Sequence, residues 1–348
     1  MNNSSDDRIL KYNNLTNKLL YMNSSEINKL INKQINKQKK SNINIKWGEA
    51  GTIKVNNINV FYKKIPLAKL FYESGMTTSN LYNLPAYYNY GYGSAGINPW
   101  RELITHINLS NYVIQGETEN FPLLYNWRII KDNTHNFNSG LSEKLMNNYG
   151  NNKNIKKYLE DRYNCEYKIL MLIEYIPFVL YEYINKKPLY LKNYDHESKK
   201  ILDFLASKKI LDMDAHEGNY LVDTKGNLYL TDFGLVLDKK FDLDKNEIKF
   251  MKENKLLPYY YFYESIYSIY KHNAFRNNKI KELFNNNENL DKIEYHKMII
   301  KNIDNINKII NFPTSYINII LSNKNKIIKV IRLKNNFINT KNKNIIYL

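Results

Sequence analysis

Residues 210–234 read ILDMDAHEGNYLVDTKGNLYLTDFG and carry the most informative pattern in the chain. Two short apolar runs, residues 220–222 and 228–230, flank the polar stretch DTKG, which is typical of two strands joined by a tight turn. Asp214 and Asn219 precede this predicted hairpin, and Asp232 follows it. The segment therefore combines a predicted hairpin with a carboxylate and an amide before it and a carboxylate after it.

The order and spacing of these polar residues resemble the eukaryotic-type protein kinase superfamily. Asp214 and Asn219 stand five positions apart, as the Asp and Asn do in H-R-D-x-x-x-x-N, and residues 232–234 match D-F-G. The resemblance implies that Asp214 accepts or orients the proton of a substrate hydroxyl, and that Asn219 and Asp232 bind Mg²⁺. It also implies ATP as a cofactor and a bilobal α+β fold, with a small antiparallel sheet in the N-lobe and a mainly helical C-lobe.

The sequence VFYKKI at residues 60–65 resembles the strand that carries the ATP-binding lysine of this superfamily. Lys63 is placed to contact the α and β phosphates. Lys64 is the alternative, because side chains alternate along a strand and only one of the two faces the cleft. The other interpretation of this sequence is an edge strand on which both lysines face solvent. Glu102, in a predicted helix that begins near residue 100, is the expected ion-pair partner of Lys63, 39 residues away.

Residues 47–53, WGEAGTI, resemble the second half of the glycine-rich loop of kinases. Gly48 and Gly51 correspond to its second and third glycines, the first glycine is missing, and Ile53 is expected to cover the adenine. Residues 91–96, GYGSAG, match G-x-G-x-x-G more closely by letter. We interpret them as a structural loop, because no lysine-bearing strand follows them and the Tyr-rich flanks lack a β-α-β pattern.

Residues 172–176, LIEYI, resemble the last N-lobe strand and the hinge of a kinase. The resemblance implies that backbone groups of Glu174 and Ile176 bind the edge of the adenine. A plain buried strand is the other interpretation of this run.

The chain departs from the kinase pattern at three further places. Asp212 and Met213 replace the H-R pair, so no arginine is present there to bind an activation-loop phosphate, and we expect activity without loop phosphorylation. Asp212 either adds metal affinity or caps a turn. His216 stands where aminoglycoside phosphotransferases carry histidine in D-x-H-x-x-N; it is expected either to contact the γ-phosphate or to anchor the loop. No A-P-E motif follows residue 234.

Composition limits the class of protein and its surroundings. With 348 residues, 43% hydrophobic, the chain is long enough for a sizeable core and is not a disordered polyampholyte. Its net charge of +17 favours an anionic partner such as nucleic acid or a virion component, although an AT-rich genome would enrich lysine equally well. Cys165 is the sole cysteine and no apolar run could span a membrane, so we expect an intracellular, cytoplasmic protein.

Changes in composition and in hydrophobic pattern along the chain predict four segments. They are a polar N-terminal extension (1–42) with an amphipathic helix capped by Ser24-Ser25, an N-lobe (43–176) with an insertion near 72–99, a C-lobe (177–320) and a basic tail (321–348). Further strands are expected at 45–47, 52–55, 59–65 and 168–175, and helices at 100–109 and 198–209.

These observations favour an ATP- and Mg²⁺-dependent protein serine/threonine kinase acting on a protein substrate. The departures most resemble the divergent serine/threonine kinases encoded by large DNA viruses, which would place the protein in host cytoplasm or in the virion. His216 and the missing A-P-E motif keep open a small-molecule kinase of the aminoglycoside-phosphotransferase type. A basic pseudokinase scaffold is a third possibility, against which the intact Lys63, Asp214, Asn219 and Asp232 argue.

Overall fold

The computed structural model describes residues 3–37, 48–90, 94–135, 139–186, 191–255 and 257–259, which form a mixed α+β protein. Several predictions lie outside the described residues: the strand at 45–47, Gly91 and Gly93, the C-lobe beyond residue 259 and the basic tail at 321–348. Within the described part, no helix is long and apolar enough to cross a membrane.

Nine α-helices lie in the described part of the chain: α1 (Asn3–Tyr21), α2 (Ser24–Lys37), α3 (Lys69–Glu73), α4 (Pro99–Ile114), α5 (Glu143–Asn148), α6 (Lys153–Tyr163), α7 (Leu180–Lys186), α8 (Leu191–Ser207) and α9 (Lys245–Glu253). The strands there are β1 (Glu49–Val55), β2 (Ile58–Leu67), β3 (Leu124–Lys131), β4 (Tyr167–Glu174), β5 (Phe178–Val179), β6 (Ile210–Asp212), β7 (Tyr220–Val222), β8 (Leu228–Leu230) and β9 (Val236–Asp238). The strands predicted within 52–65, 168–175 and 220–230 are confirmed, and the helices predicted at 100–109 and 198–209 lie largely within α4 and α8.

The main sheet is antiparallel, with strand order β1-β2-β4-β3. Asn56 and Asn57 make the β1–β2 turn with φ angles of 49° and 63°, the left-handed conformation that two-residue hairpin turns require. This turn pairs Val55 with Ile58 and consequently Ala50 with Lys63. Gly51 lies inside β1, which begins three residues before the strand expected at 52–55.

The two faces of the main sheet pack against different helices. Directly paired residues share a face, so Lys63 lies on the same side as Ala50 and Met171. That side joins the apolar core that contains Trp100 and Leu103 of α4. The opposite side carries Ile53, Val55, Val60, Tyr62, Leu170 and Leu172, which belong to a second core.

The N-terminal helices α1 and α2 cover this second side. Leu15 and Leu19 of α1 and Ile27 and Ile31 of α2 are buried in the same core as the outer face of β1 and β2. The helix expected after residue 24 is present, but its cap is Asn23 rather than the two serines. The Asn23 Oδ1 accepts from the Glu26 amide at 3.0 Å, and the Glu26 carboxylate accepts from the Asn23 amide at 2.7 Å.

Helix α4 is fixed at its N-terminal end by capping and by a buried ion pair. Asn98 accepts from the Trp100 amide at 2.9 Å, and Pro99 starts the helix. The Arg101 guanidinium donates to the Glu247 carboxylate in α9 at 2.5 and 3.0 Å and, through Nε, to the Thr78 carbonyl at 2.8 Å. Both charged side chains are buried, so the turn that carries Glu102 is tied to the segment that follows Asp232.

A second, smaller sheet, β5-β7-β8, contains the hairpin predicted from residues 220–230, and β6 pairs with β9 beside it. The main sheet joins it through residues 175–177, between β4 and β5. The 3₁₀ turn Glu217–Asn219 leads into β7. The hairpin thus places Asn219 before β7 and Asp232 after β8, at the same end of the small sheet.

Leu19→Ala and Leu20→Ala test the docking of the N-terminal helices. Leu19 is 0% exposed and Leu20 65% exposed on the same helix. Removing the buried side chain should lower the free energy of unfolding by ~2–5 kcal/mol, because it leaves a cavity, and removing its exposed neighbour should change it by less than ~0.5 kcal/mol. Urea unfolding curves measure both. Equal effects would contradict the burial of α1 against the sheet.

Candidate active site

Lys63 lies between two carboxylates that are distant in sequence. Its Nζ is 2.5 Å from Glu102 Oε1 of α4 and 2.7 Å from Asp232 Oδ1 beyond β8. Lys64 points to the other face, where its Nζ contacts Glu49 and Asp132 at 2.9 Å each. Of the two adjacent lysines, it is therefore Lys63 that lies with Glu102 and Asp232.

Burial and charge set the ionisation of this cluster. Burial lowers the pKa of Lys63, but Asp232 and Glu102 outweigh it, so the pKa lies above its ordinary value. Partial burial raises the pKa of Asp232, and the nearby Lys63 ammonium more than reverses this. The pKa of Glu102 is raised, because burial there exceeds the effect of Lys63. Lys63 and Asp232 are accordingly both charged at neutral pH.

Asp214 and Asn219 are joined through the loop between β6 and β7. Asn219 Nδ2 donates to the Asp214 carbonyl at 2.9 Å and approaches Asp214 Oδ2 at 3.4 Å. The Asn219 carbonyl also accepts from the Thr231 amide at 3.0 Å, so Asn219 adjoins Asp232. One continuous cluster therefore runs from Glu102 through Lys63 and Asp232 to Asn219 and Asp214.

His216 is oriented toward Asp214. Its Nδ1 accepts from the Gly218 amide at 3.0 Å, which places the proton of a neutral ring on Nε2, and Nε2 lies 3.8 Å from Asp214 Oδ2. The ring also crowds Gly218, where a Cβ would lie 2.7 Å from Cε1. His216 anchors the loop in this way, with the edge that carries Nε2 directed at the candidate catalytic carboxylate.

Asp212 caps the turn that carries Asp214. Its Oδ1 accepts from the Asp214 amide at 2.9 Å, and the residue is 1% exposed. The pKa of Asp212 is raised to about 7, mainly by burial; the Asp214 amide lowers it and the charge of Asp232 raises it. Of the two roles expected for Asp212, the turn cap is the one that these contacts show.

The Asp232-Phe233-Gly234 turn is held in an unusual backbone conformation. Asp232 has a φ of 63°, in the left-handed region that non-glycine residues seldom adopt. Phe233 is buried against His106, with ring centroids 4.8 Å apart, and burial lowers the pKa of His106 to about 3. A Cβ on Gly96 would lie 2.4 Å from the Gly234 carbonyl, so the loop before α4 packs directly on this turn.

The candidate glycine-rich residues have local packing reasons to be glycine. A Cβ on Gly48 would lie 2.7 Å from the Lys64 carbonyl, and one on Gly51 would lie 2.9 Å from the Tyr62 ring. Ile53 pairs with Val60 on the face opposite Lys63 and is buried in the core that α1 and α2 cover. The expectation that Ile53 covers the adenine is therefore corrected by the β1–β2 register.

The candidate hinge begins where β4 ends. The Glu174 amide donates to the Leu123 carbonyl at 2.8 Å, and the Leu123 amide donates to Glu174 Oε2 at 3.1 Å. Arg8 of α1 contacts the same carboxylate at 2.6 Å. Ile176 lies half-buried in the crossing to β5. Sequence reasoning missed Arg8, since nothing in the local pattern of α1 indicates a partner 166 residues away.

The oxygen donors of Asn219, just before β7, and Asp232, just after β8, fit a magnesium ion. Asn219 uses Nδ2 to bind Asp214, which leaves its amide oxygen for a cation. The Asp232 side chain is 46% exposed, and it contacts Lys63 through Oδ1. Mg²⁺ is commonly held by one or two such oxygens together with phosphate and water, so a larger protein cage is not required.

Comparison with known proteins gives a partial similarity. No family model matches this chain. A probable cyclin-dependent serine/threonine-protein kinase of Dictyostelium discoideum is 32% identical to it over 87 residues, which cover 24% of this chain and 6% of the relative. The chain thus spans a small fraction of that relative's length. The similarity indicates a relation to protein kinases and does not bear on the resemblance to viral enzymes.

Asp212→Asn should stabilise the protein increasingly as the pH rises. The unfolded chain loses the aspartic acid proton near pH 4, whereas folded Asp212 keeps it to about 7, so wild-type stability falls across this window. The Asn variant escapes a cost of roughly 4 kcal/mol at most by pH 8 and still accepts from the Asp214 amide. Urea unfolding in metal-free buffer at pH 5 and pH 8 measures the difference; a pH-independent difference would contradict the buried, protonated Asp212.

Proposed function

We propose that this protein is an ATP- and Mg²⁺-dependent phosphotransferase, specifically a protein serine/threonine kinase. The proposal rests above all on Lys63, whose ammonium lies 2.5 Å from Glu102 and 2.7 Å from Asp232. A lysine held by one carboxylate beside a second, partly exposed one is suited to binding nucleotide phosphates next to a cation. The partial similarity to a kinase supports the same reaction class.

Each polar residue of the cluster takes a distinct role in this proposal. Lys63 binds the α and β phosphates, and Glu102 keeps its side chain in place. Asn219 and Asp232 hold Mg²⁺, which neutralises charge on the phosphate oxygens. Gly48 and Gly51 would line the triphosphate, and backbone groups of Glu174 and Ile176 would bind the adenine edge.

Asp214 orients the hydroxyl of the acceptor for in-line attack on the γ-phosphorus. The new bond joins the acceptor oxygen to that phosphorus, and the bond from the phosphorus to the β–γ bridging oxygen breaks. Asp214 accepts the hydroxyl proton, and ADP leaves. His216 has Nε2 3.8 Å from Asp214 Oδ2, and in this proposal it orients the carboxylate and contacts the transferred phosphoryl group.

A small-molecule kinase is the second candidate, and His216 is the observation that favours it. The D-x-H-x-x-N pattern that resembles aminoglycoside phosphotransferases runs from Asp214 to Asn219. Such an enzyme would phosphorylate a hydroxylated metabolite and ignore proteins. A panel of protein and small-molecule acceptors with labelled ATP separates the two.

The net charge of +17 supports an anionic partner, either nucleic acid or a virion component. In this proposal the enzyme is of viral origin and acts in host cytoplasm.

Three variants test the assigned roles in labelled-ATP and Mg-nucleotide binding assays. Asp214→Asn should lower kcat by about 10²–10⁴-fold with nucleotide affinity unchanged, since Asp214 acts on the acceptor. Lys63→Met should weaken nucleotide affinity by at least about tenfold, because a charged contact to phosphate is lost. Lys64→Met removes the adjacent lysine on the opposite face, whose side chain is 7% exposed against 13% for Lys63, and should leave nucleotide affinity within about twofold.

The absence of phosphate transfer to any protein or small-molecule acceptor by the wild-type chain would contradict the proposed reaction. Equal nucleotide affinities in the Lys63→Met and Lys64→Met variants would contradict the assignment of Lys63.

Phosphatase treatment should leave the rate of phosphate transfer within about twofold. Met213, not an arginine, stands immediately before Asp214, so no arginine is available at that position to bind a phosphate. The Arg101–Glu247 ion pair already holds α4 against the segment after Asp232. Initial rates before and after treatment, with removal of phosphate verified by mass spectrometry, measure this. Loss of activity that returns on rephosphorylation would contradict it.

A further inference from the structure

Arg8 in α1 makes an unusually complete set of contacts. Its Nε and Nη2 donate to the Glu174 carboxylate at 2.6–3.1 Å, its Nη1 donates to the Glu119 carbonyl at 2.8 Å, and Nη2 also donates to the Phe121 carbonyl at 2.6 Å. The guanidinium lies over the Tyr229 ring, 5.1 Å from its centroid. A single side chain thereby contacts three separate parts of the chain.

These contacts meet where the main sheet joins the small sheet; we call this region, residues 119–123 with Glu174 and Tyr229, the sheet junction. Residues 119–123 connect α4 to β3 and bind both sheets. The Leu123 carbonyl accepts from Glu174 at the end of β4. The Asn120 side chain donates to the Leu228 carbonyl at 2.9 Å, and the Asn120 carbonyl accepts from Leu230 at 2.9 Å.

The sheet junction lies behind the candidate active site. Lys63 is on β2, which pairs with β4, whereas Asp232 follows β8 by two residues. Phe121 of the junction packs against Phe233, with ring centroids 6.1 Å apart. A shift between the two sheets at this point would change the distance from Lys63 to Asp232, and with it the space for the phosphates.

We propose that Arg8 is a positioning residue of the nucleotide site. By holding the Glu174 carboxylate and the carbonyls of Glu119 and Phe121 together, it fixes the small sheet relative to the main sheet and sets the affinity for Mg-nucleotide. This inference rests on the proposed function. It assigns to the N-terminal helix a role in the site, beyond covering the outer face of the sheet.

The chain offers a matched control in Arg128 of β3. Arg128 also anchors α1, donating to the carbonyls of Leu19 at 2.9 Å and Met22 at 2.8 Å, at the far end of the helix from Arg8. Arg128→Met therefore loosens the same helix without removing a contact to the sheet junction. Glu174→Gln is a second test variant: the amide oxygen still accepts from Leu123, but the charge that binds Arg8 is gone.

The experiment measures Mg-ADP affinity by calorimetry for the wild type and for Arg8→Met, Glu174→Gln and Arg128→Met, together with amide hydrogen exchange of residues 228–233 without nucleotide. We expect Arg8→Met and Glu174→Gln to weaken Mg-ADP binding by about tenfold and to speed exchange in this segment. Arg128→Met should bind Mg-ADP within about twofold of the wild type. In steady-state assays, Arg8→Met should raise the KM for ATP more than it lowers kcat.

Equal affinities and equal exchange rates in Arg8→Met and Arg128→Met would overturn the proposal, since both variants loosen α1. Failure of the wild-type chain to bind Mg-ADP would instead refute the proposed function and the affinity claim with it. Hydrogen exchange, which needs no nucleotide, would in that case still decide whether Arg8 holds the sheet junction.

Discussion

The ion cluster at Lys63 is the interaction on which the rest of the site depends. One ammonium lies between the carboxylates of Glu102 and Asp232, and these three residues come from the main sheet, from α4 and from the end of the small-sheet hairpin. The side chains of Lys63 and Glu102 are largely buried, and buried charges need a partner because burial removes their hydration. The three elements are therefore constrained to meet at one point, and the remaining contacts of the protein fix each of them there.

Separate sets of contacts hold in place the three elements that form this cluster. Arg101 and Glu247 fix the turn of α4 that carries Glu102. The packing of Phe233 against His106 and the close approach of Gly96 to Gly234 hold Asp232 in its left-handed conformation. The sheet junction, with Arg8 across it, connects the sheet of Lys63 to the hairpin of Asn219 and Asp232. The central charges thus depend on contacts made well outside the cleft.

Local patterns in the sequence sufficed to predict much of the fold and of the site. The hairpin at 220–230 and the strand of Lys63 are evident because their periodicity and turn residues are local. The pairing of Lys63 with Glu102 followed from the resemblance and agrees with the structure despite the long separation. The patterns did not indicate β3, α5 and α6, which occupy much of residues 124–163.

The wrong prediction for Ile53 and the failure to find Arg8 have different physical reasons. The side on which Ile53 lies could have been worked out, because the two-residue turn at Asn56 and Asn57 fixes the register and places Ile53 opposite Lys63. The contacts of Arg8 could not be worked out from the sequence, because they depend on carbonyls and a carboxylate that only tertiary packing brings together. Long-range polar contacts of this type leave no periodic signal in a single sequence.

The most direct test of the account is covalent labelling with an acyl phosphate of ATP, which transfers its acyl group to a lysine beside the bound phosphates. Peptide mapping by mass spectrometry then identifies the modified residue. The account predicts that Lys63 is labelled, that excess Mg-ATP protects it, and that Lys64 is not labelled. Labelling of Lys64 in place of Lys63, or labelling of Lys63 that Mg-ATP does not reduce, would contradict it.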